Sequence, residues 1–303
     1  MAGAATILVA GKSGQLAQSL LELAADDRNL RIVAAGRPEL DIEQPASIEQ
    51  VVSSVAPAVI INAAAYTAVD KAELEPERCF AVNCNAAAQL AAAAWRLRVP
   101  FIHISSDYVF DGEKPTPYVE DDATAPLGVY GQSKLEGERA VLSAHPLAVT
   151  LRTSWVYSAF GSNFVKTMLQ LAKSQPLVRV VDDQQGCPTS AHDLAVALLR
   201  IASELVAGPS DVSAGLYHLS GSGRTTWHAL AAEVFARAKA RGWPVPQLEA
   251  IATADYPTRA RRPRNSSLDC AKINRAFGVA LPPWSASVRM CVDRLMSKEL
   301  QQC

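Results

Sequence analysis

TILVAGKSGQLAQSLLELA, residues 6–24, is the stretch that decides the fold. Residues 6–10 are a short apolar and β-branched run, the pattern of a strand buried on both faces. The run leads straight into Gly11-Lys12-Ser13-Gly14-Gln15-Leu16-Ala17, and residues 15–25 read as a helix. Glycines at such a junction remove side-chain bulk, so the backbone can approach a pyrophosphate at the helix N-terminus. Unpaired N–H groups and the helix macrodipole favour negative charge there. The G-x-x-G-x-x-A spacing differs from the G-x-G-x-x-G of dinucleotide-binding turns. Its place after the first strand and before the first helix is nevertheless the context that pattern requires. The same glycines would also serve a tight strand–helix turn that holds no ligand.

Outward from this stretch, strands at 31–35, 58–62, 101–105 and 147–152 alternate with helices at 76–98 and 131–143. Pro76 suits the first turn of its helix. Continuous apolar strands alternating with helices predict an α/β fold, a Rossmann-type doubly wound parallel sheet covered on both faces. The second half is less regular. Helices are expected at 163–174, at 192–204 behind a Ser190 cap, from a Thr226 cap to about 241, at 269–277 closed by Gly278, and at 285–297. Residues 178–181 and 217–220 read as strands. The expected organisation is an NAD(P)-binding domain at 1–155, to which the chain returns at about 176–221. A smaller, mainly C-terminal α/β substrate lobe is expected from 156–175 and 222–303.

The 303 residues suffice for a large core in one domain or two interleaved ones. Lys plus Arg number 29 against 30 Asp plus Glu, a net charge of −1. Nucleic-acid binders carry a strongly basic footprint, so no nucleic acid is expected as a partner. No apolar run approaches the ~20 residues that span a bilayer. MAGAATILVAG has no basic segment ahead of its apolar run, so neither a membrane anchor nor a secretory signal is expected. The six cysteines, at 79, 84, 187, 270, 291 and 303, have no paired or zinc-type spacing. They fit free thiols in a reducing compartment, hence a cytoplasmic setting. His103, His145, His192, His218 and His228 are scattered, and no metal site is expected from them.

Two further features carry chemistry. The second strand ends Ala35-Gly36-Arg37, where NAD-binding folds place an acidic residue for the ribose 2′-hydroxyl. Arginine suits a 2′-phosphate, so NADPH is the expected cofactor, with NADH as a second donor. Asp41 stands where it could accept from the adenine amino group. Tyr130-Gly-Gln-Ser-Lys134 opens a helix, and the i, i+4 spacing puts phenol and ammonium on one face. A free tyrosine has a pKa of about 10. A nearby cation favours the phenolate, which suits the pair to exchanging a proton with a hydroxyl or carbonyl oxygen. Alone, Y-x-x-x-K is more often a core aromatic followed by a surface lysine. Behind a nucleotide turn and two strands it is a strong signal. ISSDYVFDG (104–112), at the end of a buried strand, adds Ser105, Ser106 and Asp107.

The order GxxGxxA, NAAA (62–65), SSD (105–107), YxxxK resembles the short-chain dehydrogenase/reductase superfamily in its extended, nucleotide-sugar-modifying branch. NAAAYTAVDKAE (62–73), SSDYVFDG (105–112), VYGQSKLEGE (129–138), LRTSWVY (151–157), NFVKTML (163–169) and DDQQGCPT (182–189) are similar to reductases of that branch. RRPRNSSLD (261–269) is a weaker match, and the resemblance spans roughly the whole chain.

The resemblance implies NADPH-dependent reduction of the C4 keto group of dTDP-4-dehydro-L-rhamnose to dTDP-L-rhamnose. Its catalytic set maps to Ser106, Tyr130 and Lys134. Tyr130 would protonate the developing alkoxide, Lys134 would lower its pKa and bond the nicotinamide ribose, and Ser106 would donate to the C4 oxygen. Cofactor contacts map to Gly11, Lys12, Ser13, Gly14, Gln15, Leu16, Arg37, Asp41, Ile42, Ala63, Ala64 and Ala65, with Tyr130 and Lys134. Substrate contacts map to Thr67, Val69, Ser106, Asp107, Trp155, Asn163, Gln184 and Thr189. From the cluster Arg259, Arg261, Arg262 and Arg264, Arg262 is the expected diphosphate clamp. Trp155 would offer a flat apolar wall to a deoxysugar ring, or else pack between the lobes. Related 4,6-dehydratases follow the hydroxyl residue with Asp-Glu. Here Tyr108 follows Asp107, which points to simple reduction and leaves Asp107 a loop-holding role beside any substrate contact. Some members bind magnesium through glutamates at a dimer contact. Ser19 stands at the first-helix position, so magnesium is not expected, and the chain is expected as a monomer or homodimer. Two other readings stay open: a reductase of another 4-keto-6-deoxy nucleotide sugar, and a non-catalytic regulatory subunit of the methionine adenosyltransferase type.

Overall fold

The computed structural model describes residues 5–26, 31–208 and 214–300, so Cys303 lies outside the described residues. The chain runs β1 (Thr6–Ala10), α1 (Gln15–Asp26), β2 (Arg31–Ala35), α2 (Pro45–Val55) and β3 (Val59–Asn62). Then follow α3 (Val69–Ala72), α4 (Pro76–Phe80), a π-helical turn at Ala81–Ala86, α5 (Ala87–Arg96), β4 (Phe101–Ser106), α6 (Val129–Ala144) and β5 (Val149–Thr153). The second half comprises β6 (Val156–Tyr157), α7 (Phe164–Ser174), β7 (Leu177–Val181), β8 (Gln185–Gly186), β9 (Thr189–Ser190) and α8 (Ala191–Ala207). It ends with β10 (Gly215–His218), β11 (Thr225–Thr226), α9 (Trp227–Ala240), β12 (Gln247–Ile251), α10 (Ala271–Phe277) and α11 (Trp284–Leu300). None of the described helices is long and apolar enough to cross a membrane.

The central sheet has the order β10-β5-β4-β3-β1-β2, with every pairing parallel. Helices cover both faces, as continuous apolar strands require. Leu20, Leu198, Ile273 and Phe277 close one face from α1, α8 and α10. Ile48, Leu90 and Val141 close the other from α2, α5 and α6. The fold is therefore α/β of the Rossmann type. Strand order reverses between β1 and β3, and in such sheets the crevice beyond the strand ends at that point is the usual ligand site. Gly11 and Ala63 follow β1 and β3 directly, so the glycine turn sits at this crevice.

The smaller lobe is α7, α9 and α11 packed on the pair β7–β12, around Val165, Leu230, Val234, Val288 and Val292. Two expected boundaries move. The return to the main body begins at α8 rather than near 176, because β7 pairs β12 within the lobe. α10 and the following Val279 and Leu281 belong to the main core, although they lie inside the 222–303 segment assigned to the lobe. α2 is not among the expected elements, although Pro45 stands at its first turn and Ile48, Val51 and Val52 at helical spacing. The helix expected at 76–98 is interrupted by the π turn.

That π turn positions Asn83. Its Nδ2 donates to Ser133 Oγ on α6 (2.9 Å), and its Oδ1 accepts the Tyr66 N–H (2.8 Å). α6 comes so close that a Cβ on Gly137 would lie 2.1 Å from the Asn83 carbonyl oxygen. In a free helix, Gly→Ala gains about 1 kcal/mol. Here the overlap is with backbone, and overpacking of a tight core typically costs ~1–3 kcal/mol. Gly137→Ala is therefore expected to lower stability, seen as a lower urea midpoint at unchanged slope. A raised midpoint would show that the approach is loose.

Candidate active site

The crevice opens from the glycine turn. Gly11 has φ +111°, and an added Cβ would sit 2.9 Å from the Ala64 N–H nitrogen. Only glycine allows this turn to close on the end of β3. A cleft of about 760 Å³ runs from Lys12 and Ser13 past Gly36, Arg37 and Ile42 to Ala64 and Thr67. A second cleft, about 540 Å³, shares Ser13, Gly14, Ala63, Ala65 and Thr67 with it and ends at Ser106, Tyr130 and Lys134. The two form one groove, from an exposed polar end to a buried one. Leu16, 8% exposed, is mostly a core residue under the turn.

At the exposed end the charges are already paired. Lys12 Nζ donates to Glu39 (3.2 Å). The Arg37 guanidinium bonds Asp41 (3.1 Å) and Glu43. Asp41 accepts from Arg37 and from the Glu43 N–H, so its carboxylate serves the loop rather than standing free for an adenine. Arg37 holds the Asp41 pKa below the usual carboxylate range.

At the buried end, Tyr130, Lys134 and Glu138 recur every four residues along α6, one polar stripe facing the sheet. The Glu73 carboxylate accepts the Val129 N–H (2.8 Å), satisfying one of the free donors at the helix start. Burial pushes the Tyr130 phenol up to about 12, against the pull of the Ser106 hydroxyl that faces it. The expected effect of Lys134 on Tyr130 is overridden here. The ammonium, 1% exposed, donates to the Ile104 carbonyl (2.7 Å), and burial pushes its pKa down to about 8, with Glu138 opposing. Ser106 Oγ donates to Asp107 Oδ1 (3.1 Å) and accepts the Tyr108 N–H (3.2 Å). Tyr108 meets Tyr130 edge-on, ring centroids 5.5 Å apart.

Glu138, which the sequence reading passed over, is 3% exposed. It accepts Ser105 Oγ (2.5 Å), Arg152 Nε (2.9 Å) and Arg152 Nη2 (2.7 Å). Arg152 continues to His218, whose Nδ1 donates to the Tyr118 carbonyl (3.0 Å) and whose Nε2 faces Arg152 Nη1 at 3.5 Å. Burial, then the neighbouring guanidinium, push the His218 pKa down to about 3. His103 is fully buried against Asn62 (3.1 Å). Ser19 is buried and donates to the Gln15 carbonyl (2.9 Å).

Of the expected substrate contacts, Thr67, Val69, Ser106, Asp107, Trp155 and Asn163 line the buried cleft. Trp155 has φ +47° and stacks on Trp227 at 3.5 Å, nearly parallel, so one ring face is taken. Its edge rests where a side chain on Gly186 would be, 2.3 Å from an added Cβ. Gln184 and Arg262 instead line a neighbouring cavity of about 550 Å³ with Trp227, Phe164 and Tyr256. Gln184 donates there to Thr253 Oγ1 (3.0 Å). Arg262 bonds Asp70 (2.8 Å) and faces the Tyr108 hydroxyl, while Arg259, Arg261 and Arg264 are exposed. One expectation changes. Thr189 is fully buried between Cys187 and Gly221, out of reach of a ligand. Asn163 caps α7 and donates its amide to Gln15 (2.9 Å) and the Ser158 carbonyl (2.8 Å), and both it and Gln15 also line the buried cleft.

Residues 5–297 match the family model described as the RmlD substrate binding domain. A dTDP-4-dehydrorhamnose reductase from Sinorhizobium fredii is 48% identical over 290 residues, 96% of this chain and 97% of that one. Among solved structures, a dTDP-4-dehydrorhamnose reductase from Clostridium acetobutylicum superposes with a TM-score of 0.88 at 33% identity, covering 96% of this chain and 99% of that one. One from Bacillus anthracis, in complex with NADP, has a TM-score of 0.87 at 32% identity, with the same coverage.

Glu138→Gln would leave Arg152 buried without its counter-charge. Removing one partner of a buried pair typically costs ~3–5 kcal/mol, so a matching loss of unfolding free energy in urea is expected. A loss within error would show that the pair contributes nothing net.

Proposed function

Because the chain belongs to the RmlD substrate binding domain family, we propose that it is an NADPH-dependent reductase of the C4 keto group of a dTDP-linked 4-keto-6-deoxyhexose, dTDP-4-dehydro-L-rhamnose, giving dTDP-L-rhamnose. The observation that carries this reading is the continuous groove from the glycine turn to the Ser106–Tyr130–Lys134 cluster. Gly11 lets the turn close on the end of β3, and the groove this leaves at the first turn of α1 fits a pyrophosphate. Bound NADPH supplies the hydride. The chain does the rest. Tyr130 gives its phenolic proton to the C4 oxygen, with Ser106 fixing the phenol. Lys134, one N–H of which is held by Ile104, keeps donors for the nicotinamide ribose. Trp155, backed by Trp227, walls the deoxysugar on its remaining face. The cavity beyond, with Arg262 at its mouth, takes the nucleotide diphosphate.

The 2′-phosphate of NADPH would draw Arg37 from its exposed partners Asp41 and Glu43. Arg37→Ala is expected to weaken NADPH binding about tenfold, the size of one charge-assisted contact, and to leave NADH binding unchanged. Equal losses for both cofactors would remove Arg37 from the choice.

The reaction itself is tested with enzymatically made dTDP-4-dehydro-L-rhamnose, following NADPH absorbance. Oxidation is expected with the native chain. Tyr130→Phe should lower turnover by at least ~10²-fold while NADPH still binds, as loss of a general acid requires. No oxidation at high enzyme concentration would sink the reading. Loss of cofactor affinity with turnover retained would mean that Tyr130 is not the acid.

A further inference from the structure

Asp107 is a buried titratable group for which the reduction above has no use. It is 2% exposed, and its Oδ2 has no hydrogen-bond partner among the described residues. A carboxylate this deeply buried, with one oxygen unmatched, is costly even with the Ser266 hydroxyl facing it, and protonation lowers that cost. The groups facing the carboxyl are the Ser106 hydroxyl from β4, Tyr108 beside it, Tyr130 from α6, the Cys187 thiol, and the Ser266 hydroxyl from the returning C-terminal segment. Arg262, beyond Tyr108, is paired with Asp70. Burial pushes the Asp107 pKa up to about 7, against the pulls of Ser266 and Ser106.

Ser106 lies between this acid and the phenol. A hydroxyl has one proton to donate and two acceptor sites. The Tyr108 N–H occupies one acceptor site, leaving one proton and one site for Asp107 and Tyr130. The chain can therefore point in two directions. With Asp107 ionised, the phenol donates to Ser106 and Ser106 to the carboxylate. With Asp107 neutral, the carboxylic acid donates to Ser106 and Ser106 to the phenol oxygen. Only the second arrangement frees the phenolic proton for a substrate oxygen.

We propose that Asp107 works as a neutral acid behind Tyr130: it orients the Ser106 and Tyr130 hydroxyls toward the substrate oxygen and replaces the proton that Tyr130 gives away. This rests on the reduction proposed above. As the Tyr130 O–H bond breaks toward the alkoxide, the Ser106 proton moves to the phenolate oxygen. The carboxyl proton moves to Ser106 at the same time. Phenol and serine hydroxyl are restored, Asp107 becomes a carboxylate, and water returns its proton between turnovers. Asp107 is thus a positioning and proton-supplying residue acting through Ser106, and Ser106 donates to the phenol rather than to the carbonyl.

The test is the pH dependence of kcat at saturating sugar and NADPH, in the native chain and in Asp107→Asn. A group that must be protonated gives activity at low pH that falls tenfold per pH unit above its pKa. The native chain should show this limb from roughly pH 7. The amide can donate to Ser106 but cannot release a proton. Asp107→Asn should therefore lower kcat about tenfold or more, abolish the limb, and leave both KM values within about threefold. A flat native profile, a variant that keeps the limb, or a variant that raises the sugar KM at unchanged kcat would overturn the proposal. Infrared spectroscopy of the native chain serves if the variant does not fold or the sugar is not turned over. A buried carboxylic-acid C=O band that titrates near neutrality is expected. An Asp107 already ionised well below neutrality would overturn the proposal, whatever becomes of the reaction.

Discussion

The carboxylate of Glu138, closed off from solvent and held by Ser105 and Arg152, is the constraint on which the catalytic end depends. It ties α6 to β4 through Ser105 and to β5 through Arg152, and Arg152 extends the tie to β10 through His218. A buried charge pair is tolerated only where its geometry is good and its remaining sites are filled. These donors meet that condition, so the inner face of α6 has one register against the sheet. Lys134 and Tyr130, one and two turns earlier, inherit that register. The closeness it demands explains Gly131 and Gly137, where a Cβ would come within 2.2 Å of the Tyr108 carbonyl oxygen and 2.1 Å of that of Asn83.

The smaller lobe is fastened by contacts of another kind. Trp155 stacks on Trp227, and Gly186 leaves room for the indole edge. Asp70 accepts the Ala260 N–H (2.9 Å) and Arg262 Nη2 (2.8 Å), pinning the 260–262 segment to α3. Arg262 reaches the Tyr108 hydroxyl from that pin, and Tyr108 stands edge-on to Tyr130. The two halves of the groove therefore share side chains at the place where a nucleotide sugar would lie across them.

Elements that carry their own signal are legible in the sequence. Apolar strands, the glycine turn, Pro76 and the Ser190 and Thr226 caps each state a local rule, and the structure follows them. What escaped depends on partners far along the chain. β12 is not among the expected strands; it forms where β7 pairs with it, and the same pairing sets β7 in the lobe. Glu138 continues the Tyr130–Lys134 spacing, which was visible, but its partners Ser105 and Arg152 come from other strands. Thr189 looks like a ligand-binding residue in sequence, but its hydrogen bonds go to a loop that closes only in the fold, so its polar group is already spent.

The two ends of the groove are built for different tasks. At the glycine turn, Lys12, Arg37, Glu39, Asp41 and Glu43 pair in solvent, where ion pairs are weak, salt-sensitive and cheap to rearrange. An incoming phosphate need only displace side chains that water already screens. At the other end, Lys134, Glu138, Arg152 and Asp107 are withdrawn from water, and any change of partner or proton is felt by the whole network. Charge pairing can thus adapt at the entrance while it stays fixed at the base. A change of charge is tolerable at Arg37 for the same reason that one at Asp107 is not.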